Sequence, residues 1–114
     1  MLSKEHRLRN DKDIKTLFAK GKGVFGLLVN IKYRPNHILV SRFAVVVGTK
    51  VSKKAVVRNR LRRQINAIIF KRLKNFRPGF DVVLMPKKEA VGKMSKEFEE
   101  EIFKTLKQKT RILI

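Results

Sequence analysis

The sequence predicts a two-layer α/β (α+β) sandwich, in which helices cover a small and mostly antiparallel sheet. Apolar residues recur with helical spacing in three segments, near residues 14–18, 53–73 and 94–106. Between these segments, apolar and polar residues alternate with the period of half-buried strands. The predicted order of elements is therefore α-β-β-β-α-β-α, with one long second strand as the alternative to the second and third strands. Because a chain of 114 residues can build one modest core but not two, we expect a single domain over residues 1–114.

The first predicted helix has a sequence signal at each end. Asn10 or Asp11 can cap its start, and Gly21 fits the position just past its last turn. Its apolar edge consists of residues at positions i, i+3 and i+4, namely Ile14, Leu17 and Phe18. Two interpretations of Phe18 remain open, because this side chain can either belong to the core or line a groove.

The strands are less sharply defined. The glycine-spaced segment Lys22–Gly26 is predicted to be a turn, because it lacks the spacing of a phosphate-binding loop. Residues 27–34 alternate between apolar and polar types and predict a strand. Residues 38–47 form a second extended region, and the turn residues between the two predict an antiparallel hairpin or meander. Residues 80–85 predict one more short strand.

The helix predicted at Lys53–Leu73 combines an apolar stripe with the densest positive charge of the chain. The stripe spans about a third of the helix circumference and predicts a buried face, formed by Val57, Leu61, Ile65, Ile68 and Ile69. From Lys50 to Arg63, seven of the 14 residues are Lys or Arg and none is acidic. A solvated helix face normally mixes its charges, so this pattern is typical of a helix that binds a polyanion.

The charge of the whole chain also predicts a polyanionic partner. The formal net charge is +20, and residues 14–80 contain 17 Lys or Arg and no carboxylate. RNA, DNA and anionic lipid are the partners that such a charge favours. The chain has no cysteine, no visible signal peptide and no apolar run as long as a membrane span, so we expect a cytoplasmic protein.

The sequence offers few groups for catalysis by the protein itself. Its two histidines, His6 and His37, lie in a predicted arm and a predicted turn, without a nearby cluster of carboxylates. The acidic cluster Glu97–Glu101 lies in the first turns of the last predicted helix, which Ser95 can cap and where the helix dipole favours negative charge. We therefore expect no catalytic residue, no metal site and no bound cofactor in the protein.

The segment Ala55–Arg63, AVVRNRLRR, closely resembles the signature of the bacterial ribonuclease P protein component, in which Arg-Asn-Arg is followed by an aliphatic residue and two basic residues. The resemblance extends in register through Arg42–Lys54. Arg7–Lys22 resembles the first helix of the family, and Pro78–Pro86 resembles its last strand. Together these segments cover residues 7–86, and the predicted last helix carries no motif.

The resemblance implies a protein that binds a catalytic RNA and forms with it the enzyme that removes the 5′ leader from precursor tRNA. The RNA subunit would hold the Mg²⁺-dependent active site, and the basic helix would belong to a left-handed crossover, against the usual handedness. No protein partner and no membrane are implied. The residues expected to meet the RNA subunit are Lys50, Lys53, Lys54, Arg58, Asn59, Arg60, Arg62 and Arg63. Those expected to meet the leader, in a cleft between the first helix and the sheet, are Ile14, Phe18 and Tyr33.

Three departures from the family pattern bear on these contacts. Ile14 stands where the family commonly has Phe, Gly48–Lys50 replaces the usual sequence before the motif, and Asn66 stands where Arg is common. We therefore expect weaker leader contact than in relatives with two Phe. Three other functions compete with this interpretation: a general RNA-binding protein, a protein of the membrane surface and a stand-alone nuclease. The Arg-Asn-Arg motif within its matching flanks favours the ribonuclease P family over all three.

Overall fold

The structure is a computed structural model and describes residues 2–114. Its elements follow the predicted order α-β-β-β-α-β-α, which confirms the fold class. The helices and strands are α1 (Asp11–Lys20), β1 (Lys22–Phe25), β2 (Val29–Pro35), β3 (Arg42–Val45), α2 (Ala55–Lys71), β4 (Phe80–Pro86) and α3 (Ser95–Lys109). Short 3₁₀ turns lie at Lys4–His6, Leu73–Asn75 and Lys88–Ala90.

The strands form one mixed sheet in the order β1-β2-β4-β3. β1 pairs with β2 and β2 with β4 in antiparallel register, whereas β3 lies parallel to β4 and is joined to it through α2. The predicted hairpin between residues 27–34 and 38–47 is therefore wrong, because β4 separates these strands. The central position of β4 is explained by the burial of its residues. The consecutive residues Asp81–Leu84 of β4 are all buried, so this strand needs cover on both faces and lies between two neighbours.

β1 occupies the segment Lys22–Gly26 that was predicted to be a turn, so that prediction is also wrong. Val24 is buried and lies opposite Ile31 of β2. The turn follows β1 instead, and Glu101 of α3 holds it by accepting hydrogen bonds from the backbone N–H of Leu28 with both carboxylate oxygens, at 2.7 and 2.8 Å. Because the partner of this turn lies in the last helix, the local sequence does not indicate it.

One face of the sheet packs against α2 and α3 and forms the main core. The strands contribute alternate residues to this core, namely Val29, Ile31, Phe43, Val82 and Leu84. The helices contribute Leu61, Ile65, Ile68, Ile69, Phe98, Ile102, Phe103 and Leu106. In the predicted stripe of α2, Val57 is half-buried and the other four residues are buried, which confirms the predicted buried face.

The opposite face of the sheet has thinner cover, supplied by α1 and the segment before it. Leu8, Leu17 and Val83 are buried there in a second, smaller cluster. Four further apolar residues pack against this cluster and are only half-buried, namely Ile14, Phe18, Ala44 and Met85. The two faces therefore differ: one is a closed core, and the other leaves apolar side chains accessible to a ligand.

The two predicted helix caps have different outcomes. Asn10 caps α1, where its side chain accepts a hydrogen bond from the backbone N–H of Lys12 at 2.8 Å. Gly21 follows the last residue of α1, and a Cβ at this position would lie 2.5 Å from the carbonyl oxygen of Leu17, so the joint requires glycine. The predicted cap of α3 is wrong, because Ser95 is the first residue of the helix and the residue before it forms no side-chain capping bond.

Arg42 joins α1 to the sheet, because it contacts the buried carboxylate of Asp81 in β4 and the carboxylate of Asp13 in α1. Asp81 accepts hydrogen bonds from Arg42 Nε and Nη2 at 2.8 and 2.7 Å and from Asn36 Nδ2 at 3.0 Å. Arg42 Nη1 lies 3.4 Å from a carboxylate oxygen of Asp13 in α1. The hydrogen bond to Asp81 raises the pKa of Arg42 above its ordinary value. A raised pKa of a basic group stabilises the fold at every pH below its unfolded pKa, so this contribution is present throughout the neutral range.

Candidate nucleic-acid interface

The loop before α2 is folded back against the first turn of the helix. The backbone N–H of Lys54, the N-cap residue, donates to Ser52 Oγ at 3.2 Å. Arg58 Nη1 donates to the carbonyl oxygen of Ser52 at 2.9 Å. These contacts fix the loop close to the start of α2, so the loop lysines and the helix arginines lie in one region of the surface.

We call this region the cationic surface. It consists of the eight residues predicted to meet the RNA subunit, namely Lys50, Lys53, Lys54, Arg58, Asn59, Arg60, Arg62 and Arg63. Arg58 and Arg62 are half-buried, and the other six are exposed. Asn59 Oδ1 accepts a hydrogen bond from Arg62 Nη1, which orients that guanidinium group. Leu61 and Ile65 face the core on the other side of the same helix, so the fold presents the arginines outward.

The charge distribution of the cationic surface favours the binding of an anionic ligand. Within residues 2–114, none of its seven Lys and Arg side chains forms a salt bridge. The first turn of α2 contains no acidic residue. The helix N-terminus carries a partial positive charge and unsatisfied N–H groups, which add to the charge of the side chains. A phosphate backbone is the kind of ligand that such an arrangement binds.

A second candidate surface lies on the less covered face of the sheet, and we call it the α1 groove. It is formed by Ile14 and Phe18 of α1 and by Lys32, Ala44 and Met85 of the strands. Lys32 Nζ lies 5.7 Å from the centroid of the Phe18 ring and donates a hydrogen bond to the Phe18 carbonyl oxygen at 2.6 Å. The groove therefore combines an apolar wall with a cation.

The predicted leader residues do not all lie in this groove. Ile14 and Phe18 pack together there on Leu17 and Val83, as the sequence predicted for the apolar edge of α1. Tyr33 lies on the other face of the sheet, packed against the main core, with its ring centroid 6.3 Å from that of Phe80. The structure therefore brings two of the three predicted residues together and places the third elsewhere.

Sequence reasoning missed three residues in or beside the groove, and a signal existed for two of them. Lys32 and Asn30 alternate with Ile31 and Tyr33 in β2, so they lie on the face that α1 covers. The Asn30 side-chain oxygen is buried and has no hydrogen-bond partner among residues 2–114. Phe25, which pairs with Asn30 across the β1–β2 ladder, is 68% exposed at the edge of the sheet. Alternation along the strand is enough to place Lys32 and Asn30 on the face of the sheet that α1 covers. Phe25 could not be assigned to a face from the sequence, because its segment was predicted to be a turn.

Further observations concern the two histidines, possible metal ligands and the length of the apolar helices. His6 Nδ1 lies 2.8 Å from the carbonyl oxygen of Ser41, and His37 is exposed in a turn with φ of 61°. In the part of the chain that the structure describes, no three His, Cys, Asp or Glu side chains are grouped so that they could hold a metal ion. No helix within residues 2–114 is both long and apolar enough to cross a membrane.

Comparison with known proteins identifies the family. The family model for ribonuclease P matches residues 2–110. The ribonuclease P protein component of Synechocystis sp. is 35% identical over 111 residues, which cover 89% of this chain and 82% of the relative. That of Thermotoga maritima is 36% identical over 108 residues, which cover 94% of this chain and 87% of the relative.

Solved structures agree with this match. The RNase P protein from Thermotoga maritima superposes with a TM-score of 0.81 at 28% identity, covering 90% of this chain and 96% of that one. The RNase P protein of Staphylococcus aureus has a TM-score of 0.81 at 19% identity, over 90% of this chain and 94% of that one, and this second likeness concerns the fold alone. The chain belongs to the ribonuclease P protein component family.

Proposed function

We propose that this chain binds the catalytic RNA of ribonuclease P through its cationic surface and the 5′ leader of precursor tRNA through its α1 groove. Binding of both would assist the endonucleolytic removal of the leader. Family membership assigns the chain to the ribonuclease P ribonucleoprotein and to tRNA 5′ processing. The observation that carries the finer proposal is the start of α2, where seven cations lie together without a single carboxylate partner among residues 2–114.

The cationic surface suits a folded RNA better than a single phosphate. Its residues extend from the loop at Lys50 along two turns of helix to Arg63, so several backbone phosphates can be contacted at once. Arg58 and Arg62 are held by hydrogen bonds to Ser52 and Asn59, which reduces the entropy that they lose on binding. Arginine also pairs with phosphate through two parallel N–H groups, which favours the guanidinium-rich composition of this surface.

The α1 groove has the properties of a site for single-stranded RNA. Such sites combine cations that follow the backbone with apolar or aromatic platforms on which bases stack. Phe18 is half-buried, so its ring both contacts the second cluster and remains accessible. Lys32 supplies the cation beside it. With Ile14 in place of a second Phe, stacking would be weaker than in relatives that have both.

The chemical step would take place on the RNA subunit, with Mg²⁺ bound there and no catalytic residue in this chain. The two histidines lie away from both proposed surfaces, one against the backbone of Ser41 and the other in an exposed turn. Glu99 and Glu101, the half-buried carboxylates of α3, already have structural partners in Arg72 and Leu28. We place the complex in the cytoplasm, together with its tRNA precursors.

Reconstitution with the cognate catalytic RNA tests this proposal. The protein should restore cleavage of precursor tRNA at a low Mg²⁺ concentration at which the RNA alone is inactive, and the protein alone should cleave nothing. A matched control is a variant in which Arg58, Arg60, Arg62 and Arg63 are replaced by Gln, which should fold but fail to restore activity. A protein that binds RNA generally would give no such rescue, and a stand-alone nuclease would cleave without the RNA. Either result would overturn the proposal.

A further inference from the structure

A pocket of about 630 Å³ lies away from both proposed surfaces, where the C-terminal ends of α1 and α3 meet the end of the sheet. We call it the terminal pocket. Two aromatic rings, Tyr33 and Phe80, form part of its wall, with their centroids 6.3 Å apart and their planes inclined by 58°. Both side chains are half-buried, so each ring is anchored in the core and still has an accessible part. The pocket therefore offers a preformed platform for a flat ligand.

The cations around the terminal pocket indicate the charge of that ligand. Five Lys or Arg side chains line it and no carboxylate does, the cations being Lys20, Lys22, Arg34, Lys109 and Arg111. None of the five forms a salt bridge within residues 2–114. Lys20 and Lys109 lie in the last turns of their helices, where a cation also stabilises the helix dipole. Lys22, Arg34 and Arg111 lie outside the helices and have no such role.

Aromatic rings beside unpaired cations are the combination that binds single-stranded nucleic acid, because bases stack on the rings while phosphates meet the cations. The position of the terminal pocket indicates which strand. β3, which leads into α2 and the cationic surface, is one edge of the sheet, and β1 is the other edge. The α1 groove lies between these edges. Lys22 of β1 lines the terminal pocket, and so does Lys20, which follows Phe18 by two residues in α1, so the pocket lies just beyond the end of α1 that carries Phe18.

We propose that the terminal pocket binds a nucleotide of the 5′ leader of precursor tRNA that lies upstream of the nucleotides held in the α1 groove. This inference rests on the proposed function. If the RNA subunit contacts the cationic surface, the cleavage site lies nearer to the β3 edge. Nucleotides progressively farther upstream then cross the groove toward the C-terminal end of α1 and the β1 edge, pass Lys20 and Lys22, and reach Tyr33 and Phe80. The role assigned to Tyr33 in leader binding is thereby kept, but at a different site from Phe18.

The test compares leaders of two lengths in the reconstituted holoenzyme. One precursor tRNA has a leader just long enough to fill the α1 groove, and the other has a leader extended by several nucleotides. The test variant is Arg34→Gln with Arg111→Gln. The matched control is Lys88→Gln with Lys104→Gln, which removes two charges from exposed positions whose side chains form no salt bridge within residues 2–114. Thermal stability should be the same in both variants, since neither pair of side chains forms a salt bridge among the described residues.

The test variant should bind the long-leader precursor roughly tenfold to a hundredfold more weakly than the unsubstituted protein, the range expected when charge-assisted contacts to the phosphates of one nucleotide are lost. It should bind the short-leader precursor and mature tRNA as the control variant does. Equal weakening for all three RNAs would overturn the inference, because the pocket would then contact the tRNA body or the RNA subunit. No weakening for any of them would overturn it as well.

A crosslinking experiment on the unsubstituted protein gives a second readout that does not depend on a variant folding. A photoreactive uridine in the upstream part of the long leader should crosslink to peptides that contain Tyr33 or Phe80, and the same base in the short leader should not. Crosslinks confined to α1 would overturn the inference. Failure of the proposed function has a different signature, because the holoenzyme would then bind short-leader precursor and mature tRNA equally and Phe18→Ala would have no effect.

Discussion

The two ends of α2 both carry cations, but these cations differ in whether they form salt bridges within the protein. At the end of the helix, Lys71 and Arg72 both form salt bridges with Glu99 of α3, at 3.3 and 3.0 Å. The Arg72 guanidinium group also lies 4.4 Å from the centroid of the Phe103 ring. At the start of the helix, the seven cations of the cationic surface have no carboxylate partner among residues 2–114.

This difference separates cations that stabilise the fold from cations that are available to a ligand. The two cations at the end of α2 share one carboxylate within the protein, so their side chains join two helices. The start of α2 retains like charges close together, and their repulsion is relieved only when an anion binds. The same contrast holds for two aromatic residues beside cations: Phe103 under Arg72 is buried, whereas Phe18 beside Lys32 is half-buried.

The largest expected effect comes from removing the charge at the start of α2. Replacing Arg58, Arg60, Arg62 and Arg63 together by Gln should weaken binding of the catalytic RNA by on the order of a thousandfold or more, because each charge-assisted contact contributes about 1.5–3 kcal/mol. The melting temperature should stay the same or rise, because repulsion is removed. A titration of labelled RNA measures the affinity, and a loss of less than tenfold would contradict the assignment of this surface.

The two aromatic residues should respond differently to truncation. Phe103→Ala should lower the free energy of unfolding by about 3–5 kcal/mol, because a buried ring leaves a cavity. Phe18→Ala should cost less stability and should instead weaken binding of precursor tRNA by the holoenzyme, by about 1–3 kcal/mol for one stacked base. Mature tRNA affinity should not change. Chemical denaturation and binding titrations on the two variants provide these values, and a stability loss for Phe18→Ala equal to that of Phe103→Ala would identify Phe18 as core.

The complementary substitution in the groove should have a smaller and opposite effect. Ile14→Phe adds a ring one turn before Phe18 on the same edge of α1, so it should strengthen binding of precursor tRNA while leaving mature tRNA affinity unchanged. The comparison is made in the same binding assay. Weaker binding of the precursor by a stably folded Ile14→Phe protein would mean that position 14 does not face the leader.

A still smaller effect is expected at the end of α2. Glu99→Gln removes the charged partner of Lys71, which is 70% exposed, and of Arg72, which is 36% exposed, and should cost about 1 kcal/mol of stability or less. Affinity for the catalytic RNA should remain within about twofold, because these cations lie at the far end of the helix from the cationic surface. If freeing them raised the affinity tenfold, the two ends of α2 would not differ as described.

The smallest effect is expected for the groups that could be mistaken for catalytic ones. Alanine at His6, His37, Glu97 or Glu100 should leave the single-turnover cleavage rate at saturating protein nearly unchanged, because the chemical step is assigned to the RNA. Glu101→Ala is a useful contrast, because it should loosen the turn at Leu28 and lower stability without abolishing chemistry. A loss of several orders of magnitude in rate from any of the first four would contradict that assignment.

The sequence was sufficient where the determinants are local. The stripe of α2, the Asn10 cap and the charge at Lys50–Arg63 are each encoded within a few turns of chain, and the structure has the stripe and the cap where they were predicted. The sequence was insufficient where a feature depends on residues that are far apart in the chain. β4 separates β2 from β3 because a strand buried on both faces needs two neighbours, and the turn after β1 depends on Glu101 in the last helix.

The candidate site shows the same division. The residues of the cationic surface are adjacent in sequence and could be named from it. The α1 groove is assembled from α1, β2, β3 and β4, so Lys32 could be assigned to it only once the face of each strand was known. Tyr33 was expected beside Phe18 in the cleft that the family resemblance implies, yet alternation along β2 places consecutive residues on opposite faces of the sheet, and Tyr33 lies on the face of the main core.

The salt dependence of binding to the catalytic RNA tests the central claim most directly. If the cationic surface neutralises about six phosphates, log K should fall with log salt concentration at a slope near −5, a loss of roughly a thousandfold between about 50 and 200 mM. In the variant with Gln at Arg58, Arg60, Arg62 and Arg63, the slope should become shallower by about three. A slope near zero for the unsubstituted protein, or one that the four substitutions leave unchanged, would contradict the claim that the start of α2 binds the RNA.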